Sequence, residues 1–286
     1  KLFHARARIL LAVVTLVFTL LPVCAATLPQ TGATAAVLMN ARTGKLLYAK
    51  NSDRTMAPAS TTKIMTAILV LEHLPLDRVV KIQSSAASKE GSSMYLVAKE
   101  QKTVRELLYG LLLVSGNDAA TALAQAVSGT EANFAKLMNK KAALLGMKNS
   151  HFLNASGLPA KGHYSTAYDL ALLTRYAMQN GNFAKIVSTK VKEVPGAKAG
   201  QTRRLINHNK LLWRYQYTTG VKTGYTIAAG GCLVSTASHD GVSLISVVLK
   251  SSYIYDDSQK LLSYGFKQSS RTGSIAATTD HSASKS

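Results

Sequence analysis

A serine three residues ahead of a lysine can do covalent chemistry when both sit on one face of a helix. The run Ala57-Pro58-Ala59-Ser60-Thr61-Thr62-Lys63 offers that spacing and leads into a mostly apolar stretch, Ile64 to Leu71. Pro58 and Ser60 are helix start signals, and the helix formers after them supply the body. Residues three apart on a helix lie one turn apart, with about 5–6 Å between Cβ atoms. A serine hydroxyl is a weak nucleophile at neutral pH and needs a base within hydrogen-bond reach. A lysine can be that base only where burial or neighbouring positive charge keeps its amine neutral. A helix N-terminus adds a positive end near a developing oxyanion. Four residues do not decide the matter. Ser282-Ala283-Ser284-Lys285 repeats the spacing in a polar tail, and Ser60 alone also reads as a helix N-cap with a solvated lysine one turn on.

Two further motifs could complete a site. Ser115-Gly116-Asn117 falls between two helical segments, where a loop can aim both side chains into a crevice. The serine can relay a proton, and the asparagine amide can bind a substrate carbonyl or hold a lysine. Lys222-Thr223-Gly224 ends the β-type run Tyr217 to Val221 and leads into Tyr225-Thr226. Lys222 there can depress the Lys63 pKa by like-charge repulsion. Gly224 lets a substrate backbone approach the strand edge, whose free backbone groups can pair an extended peptide. Each motif is cheap alone. The first reads as a helix break, and Arg42-Thr43-Gly44 and Arg271-Thr272-Gly273 imitate the second.

The elements that must position these residues follow from periodicity. Ala35 to Asn40 and Lys45 to Lys50 read as strands joined by a turn with a glycine, hence a hairpin. Helical spacing marks Thr103 to Val114, Asp118 to Val127, Glu131 to Leu145 and Thr166 to Met178, with a long loop from His151 to Tyr164. Short β-type runs follow at Val191 to Val194, Thr202 to Ile206, Tyr217 to Lys222, Gly231 to Ser235 and Val242 to Leu249. A closing helix, Asp256 to Tyr264, is expected to stop at Gly265. This order predicts an α+β fold: an antiparallel sheet, completed when the first hairpin pairs with the last strands, flanked by helices with an all-helical lobe. The Ser60 helix then lies at the crevice between sheet and lobe, where sites form.

The 286 residues suffice for one sizeable domain or two small ones. A composition 47% hydrophobic and 17% charged argues against disorder, and a formal net charge of +20 points to polyanionic partners. The N-terminus chooses among these. A basic stretch from Lys1 to Arg8, an apolar run from Ile9 to Leu21 and the small residues of Val23-Cys24-Ala25-Ala26 have the order of a secretory signal peptide. A retained anchor is the other reading, and Val23 argues against lipidation of Cys24. Export disfavours nucleic acid and favours envelope polymers. The expected organisation is a signal peptide over 1–26, a catalytic domain over 27–268 and a disordered polar tail over 269–286. After processing only Cys232 remains, so no intramolecular disulfide can form.

In sequence order the three motifs resemble the active site of the serine β-lactamases and penicillin-binding proteins. The resemblance is closest to the low-molecular-mass penicillin-binding proteins that act as D-alanyl-D-alanine carboxypeptidases, and it covers Ala35 to Lys267. It also includes Ala41-Arg42-Thr43-Gly44-Lys45-Leu46-Leu47-Tyr48, Met56-Ala57-Pro58-Ala59-Ser60, Asn154-Ala155-Ser156-Gly157-Leu158 and Leu261-Leu262-Ser263-Tyr264-Gly265-Phe266. The resemblance implies that Ser60 is acylated by the penultimate D-alanine of a peptidoglycan stem peptide, with Lys63 taking its proton. It implies that Ser115, helped by Lys222, protonates the leaving amine and that Asn117 steadies the substrate amide. The N–H groups of Ser60 and Tyr225 would form the oxyanion hole, Thr223 would meet the terminal carboxylate, and water would release the product. It implies β-lactams as covalent inhibitors and no cofactor; the histidines show no metal-ligand spacing, so no metal is expected, and the signal peptide implies residence in the periplasm or extracytoplasmic envelope.

Some features depart from the family pattern. Asn40 stands where aspartate is common, and Lys250-Ser251-Ser252-Tyr253 lacks the arginine that often binds the terminal carboxylate. Past Phe266 the sequence shows neither the β-rich second domain nor the amphipathic anchor of many members. A β-lactamase is the nearest rival, but the loop from His151 to Tyr164 holds no Glu or Asp to activate water, so slow release of β-lactams is expected. A non-catalytic wall-peptide or penicillin sensor is a second rival, and a basic wall-coating protein a third. The scattered histidines read as surface or loop residues, Asp169 and Arg175 as capping or pairing within the helical lobe, and Trp213 and Cys232 as packing.

Overall fold

The computed structural model describes residues 27–282 of the chain. The expected signal peptide, 1–26, lies outside the described residues. The chain opens with the hairpin β1 (Ala35–Asn40) and β2 (Leu46–Lys50), then passes through a 3₁₀ turn at Ala59–Thr62 into α1 (Lys63–His73). The helical lobe follows: β3 (Val79–Lys81), α2 (Ser84–Ala87), β4 (Gln101–Thr103), α3 (Val104–Leu113), α4 (Asn117–Ser128), α5 (Glu131–Leu144), α6 (Ala167–Ala177) and α7 (Gly181–Ser188). Last come β5 (Val191–Pro195), β6 (Thr202–Ile206), α8 (Leu211–Arg214), β7 (Thr218–Thr226), β8 (Gly230–His239), β9 (Val242–Leu249) and α9 (Ile254–Ser282).

The main sheet has the order β2-β1-β9-β8-β7 with antiparallel pairing throughout. The first hairpin does return to the C-terminal strands, with Ala35 opposite Leu249 and Asn40 opposite Leu244. Its inner strands are apolar because both faces are covered. On one face Val37, Val234 and Val247 pack with the lobe helices; on the other Leu38, Leu233 and Val248 pack with Leu261 and Leu262 of α9. β7 closes one edge of the sheet and carries Lys222-Thr223-Gly224.

The lobe helices begin where their caps dictate. Thr103 and Glu106 form a capping box at α3, and the Thr130 and Thr166 hydroxyls accept from the third backbone N–H of α5 and α6. At the first hairpin, Asn40 Oδ1 accepts from the N–H groups of Arg42 and Thr43, so the amide caps this turn where a carboxylate would also serve.

Two expectations are corrected. β5 and β6 pair only with each other and do not join the main sheet. Their charged sequences, VKEVP and TRRLI, bury one residue each, Val194 and Leu205, which cannot support a strand covered on two faces. The closing helix does not stop at Gly265 but runs through it to Ser282. A Cβ at Gly265 would lie 2.7 Å from Leu244 Cδ1 and 2.9 Å from Leu38 Cδ2. This glycine therefore serves close helix-to-sheet packing, not a cap. The short elements β3, β4, α2, α7 and α8 have no counterpart in the sequence reading.

Candidate active site

Ser60 sits in the 3₁₀ turn and α1 starts only at Lys63, so the helix begins five residues later than the Pro58 signal suggests. The cause is Ala59, whose φ of +48° is left-handed and cannot continue a helix. Two glycines hold this strained turn. A Cβ at Gly157 (φ +82°) would stand 1.8 Å from the Ala59 carbonyl oxygen. A Cβ on Gly224 would stand 3.0 Å from the Ser60 nitrogen. Gly224 was expected to admit substrate to the strand edge; here it brings that edge against the Ser60 backbone N–H.

Lys63 is fully buried, and its Nζ lies 2.9 Å from Ser60 Oγ, 2.8 Å from Asn117 Oδ1 and 2.6 Å from the Ser156 carbonyl. Burial, and after it the Lys222 ammonium, holds its pKa well below the ordinary lysine value, against an opposite pull from Asp118. A neutral amine has two N–H donors and one lone pair. The two fixed carbonyl acceptors take the donors, which leaves the lone pair facing the Ser60 hydroxyl. That is the geometry of a general base on a serine nucleophile.

The second motif forms a tight turn between α3 and α4. Ser115 has a φ of +62° and is buried, and its Oγ has no hydrogen-bond partner among the described residues. Asn117 grips Lys63 with its oxygen and donates from Nδ2 to the Glu90 carbonyl at 2.7 Å. Asp118 accepts from Ser93 Oγ and from the N–H groups of Met94 and Leu96, which fastens the loop before β4 over the lobe side of the groove.

From the sheet side, Lys222 is buried and donates to the Thr223 carbonyl at 2.9 Å. Burial brings its pKa down to about 7, so it is partly charged near neutrality. Thr223 is half-buried, and the Tyr225 side chain is 71% exposed, turned into a separate cavity of about 740 Å³ with Arg214 and Lys250. Only the Tyr225 backbone can serve the Ser60 groove. The structure thus brings Ser60, Lys63, Asn117 and the β7 edge together, with Ser115 on the turn that carries Asn117.

Sequence reasoning missed three contributors. Ser156 supplies a backbone carbonyl, which no side-chain pattern reveals, although the Asn154-Ala155-Ser156-Gly157 loop was visible. Asp118 acts through a loop that only tertiary contact places beside it. His163 lies in the loop, as read, but is buried there and not at the surface. Its Nδ1 accepts from the Leu153 N–H, which leaves Nε2 to donate to Thr62 Oγ1 at 3.0 Å, between the nucleophile and its base. Burial and the neighbouring His151 push its pKa down to about 4.

Other residues fall outside the groove. Asp169 caps within the lobe, accepting from Asn149 and Ser150, as expected. Arg175 instead reaches the carbonyls of Ala41 and Arg42 at the hairpin turn. Trp213 is 47% exposed, not packed. Cys232 is buried, and burial raises its thiol to about 11.

A mixed fold that sets a half-buried serine on a buried lysine against a strand edge defines a serine acyl-transfer site. Residues 23–252 match the family model described as D-alanyl-D-alanine carboxypeptidase. The chain belongs to this family of serine-type peptidases. It is 39% identical over 244 residues to the D-alanyl-D-alanine carboxypeptidase DacF of Bacillus subtilis, covering 82% of this chain and 62% of that one. The chain therefore spans less than two thirds of the length of that relative. It is 39% identical over 264 residues to the D-alanyl-D-alanine carboxypeptidase of Streptomyces sp. strain K15, covering 86% and 91%. The crystal structure of the Streptomyces K15 DD-transpeptidase superposes with a TM-score of 0.80 at 37% identity, covering 84% of this chain and 99% of that one.

Proposed function

We propose that the chain removes the terminal D-alanine from peptidoglycan stem pentapeptides through an acyl-enzyme on Ser60. The observation that carries this is Lys63, buried and held by Asn117 and Ser156 with its third direction on Ser60 Oγ. Ser60 attacks the penultimate D-alanine carbonyl and gives its proton to Lys63. The backbone N–H groups of Ser60 and Tyr225 receive the oxyanion. Ser115, whose Oγ has no hydrogen-bond partner among the described residues, passes a proton to the leaving amine, helped by Lys222. Thr223 meets the terminal carboxylate, Asn117 steadies the substrate amide with its remaining N–H, and water then attacks the ester.

Asp118 is occupied by the loop it fastens, and the loop from His151 to Tyr164 contains no carboxylate to activate that water. Lys63 serves as the base a second time, and β-lactams are released slowly. The unit that works is the domain over 27–268, exported by the leader over 1–26 to the extracytoplasmic envelope. The +20 charge draws it to anionic wall or lipid in a salt-screened manner. Among the described residues, no helix is long and apolar enough to cross a membrane.

The test is D-alanine release from a pentapeptide, together with mass spectrometry of the penicillin adduct. Release with the adduct on the Ser60 peptide is expected. Labelling without release supports a sensor, and rapid catalytic turnover of penicillin supports a β-lactamase.

A further inference from the structure

Two segments far apart in sequence, the loop over 90–99 and the hairpin β5–β6, are joined by three charged side chains. Glu100 and Lys102 keep only 4% and 3% of their side-chain surface exposed, and Arg203 keeps 13%. Arg203 holds Glu100 with both ends of its guanidinium, Nη1 at 2.5 Å from Oε1 and Nη2 at 2.9 Å from Oε2. The same Nη2 donates to the Tyr95 carbonyl at 2.6 Å. Lys102 donates to the Pro195 and Gly196 carbonyls at 2.6 and 3.2 Å, and its Nζ faces Glu100 Oε1 at 3.2 Å. Glu100 Oε2 also accepts from the Val97 N–H at 2.9 Å. Both carboxylate oxygens and the whole Lys102 ammonium are thus engaged within the protein.

A buried triad of this kind adds little stability, because desolvating three charges offsets most of their attraction. What it fixes is position. Tyr95 and Lys99 have φ of +62° and +70°, backbone that non-glycine residues keep only where their surroundings impose it. The Tyr95 side chain is 80% exposed, so packing does not impose it there; the Arg203 fork on its carbonyl and the Ser93 hydroxyl on its N–H do. The position so fixed leads to the site. The same loop gives the Glu90 carbonyl to Asn117 Nδ2 and the Ser92 carbonyl to the Asn117 N–H, each at 2.7 Å. Asn117 Oδ1 in turn holds Lys63 beside Ser60.

We propose that Arg203, seated by Glu100 and Lys102, is a positioning residue for acylation: it fixes the loop that orients Asn117 and so keeps the Lys63 amine on Ser60 Oγ. This rests on the reading of Lys63 as the base for Ser60. Without the fork the Tyr95 backbone relaxes, the Glu90 and Ser92 carbonyls move off Asn117, and one fixed direction of the Lys63 amine is lost. The opened loop also lets water approach Lys63. Burial is the main cause holding the Lys63 pKa down, so that access raises it. The clamp therefore acts on the rate of the chemical step and on its pH dependence, and not on the initial docking of the acyl donor.

The experiment follows acylation over a range of penicillin concentrations, with labelled sites counted by mass spectrometry so that only folded enzyme enters the rate. The full chain is compared with Arg203→Gln, Arg203→Lys, Glu100→Gln and the double variant Glu100→Gln/Arg203→Gln. In Arg203→Gln the maximal rate should fall roughly tenfold, short of the ~10²-fold that a 1 Å misplacement can bring. Its half-saturating penicillin concentration should stay within about twofold, and the acid limb of the rate should move to more alkaline pH. Arg203→Lys keeps the charge without the fork and should recover part of the rate. The double variant should be no slower than its slower parent, because either change opens the same clamp. A wild-type rate per labelled site with an unmoved acid limb overturns the proposal even where Tm falls, and so do losses that multiply in the double variant. Should Arg203→Gln not fold, Arg203→Lys and Glu100→Gln decide by the same rate and limb. A wild type that takes no label overturns the reading of Ser60 and Lys63, and this proposal with it.

Discussion

The two walls of the groove treat their lysines differently. On the lobe wall Lys63 is completed by the protein, with every direction of its amine assigned to Ser60, Asn117 or Ser156. On the sheet wall Lys222 is equally buried but donates to the Thr223 carbonyl beside it, and on the α3–α4 turn opposite, Ser115 Oγ has no partner among the described residues. Both lysines are depressed mainly by burial, and Lys63 further by Lys222. The Lys63 cluster is thus preorganised for attack, while Lys222 and Ser115 retain polar capacity for a substrate to engage. Attack needs a base in position beforehand; recognition gains from polar groups still free when substrate arrives.

The largest effect tests the finished wall. Ser60→Ala should abolish the penicillin adduct and lower D-alanine release by at least about 10⁴-fold, because the nucleophile acts as a unit with its base. Trimming that persists in this variant would remove the covalent mechanism altogether. The next effect tests the link between the walls. Lys222→Met keeps the volume and removes the cation, and should slow acylation by about 10²-fold through loss of proton transfer. It should also shift the acid limb of the rate in a definite direction. The Lys222 ammonium lowers the Lys63 pKa, so its removal lets Lys63 hold its proton to higher pH, and the limb moves to more alkaline values. The pH dependence of penicillin acylation measures this; an unmoved limb would show the two lysines to be electrostatically independent.

A third test compares the two glycines that clamp the Ser60 turn. Gly157→Ala pairs a left-handed φ with a Cβ 1.8 Å from a backbone oxygen, and neither conflict can relax through a side chain. A cost of about 3–4 kcal/mol and a fall of roughly 10 °C in Tm are expected, with acylation lost as the Ala59 carbonyl is displaced. Gly224→Ala crowds the Ser60 nitrogen at 3.0 Å without a left-handed φ. It should cost no more than a few degrees in Tm while slowing acylation about tenfold. A thermal melt and a penicillin-binding time course separate the pair.

Most of the lobe and sheet was legible because its signals are local. Thr103, Thr130 and Thr166 announce their helices, and the apolar run Val242 to Leu249 can only be a strand covered on both faces. Ser60, Lys63, Asn117 and Lys222 were legible because the chemistry needs those residue types in that order. What escaped depends on the third dimension. Ala59 gives no sequence warning of a left-handed backbone, and the Ser156 carbonyl has no side-chain signature. Gly265 reads as a helix stop because a glycine needed for packing and a glycine needed for a cap look alike. The helical Pro58 signal was real but was overruled by the two glycines pressed against its first turn.

The smallest effect concerns the strut behind the finished wall. His163 is neutral in the fold because burial, and then His151, bring its pKa from the ordinary 6.5 to about 4. Above pH 6.5 the folded and unfolded chains carry the same proton count at this ring. Below it the unfolded chain takes up a proton that the folded one refuses, so stability falls as pH drops and stops falling once the folded ring also protonates near 4. The whole span amounts to roughly 3 kcal/mol. His163→Gln removes the titration but can still donate to Thr62. At pH 7 the variant should be slightly less stable than the wild type, from imperfect packing against Phe152. Between pH 7 and 4 it should lose less stability than the wild type, so the gap narrows or reverses. Urea midpoints at the two pH values decide it; parallel losses in the two proteins would mean that His163 titrates alike in the folded and unfolded chains.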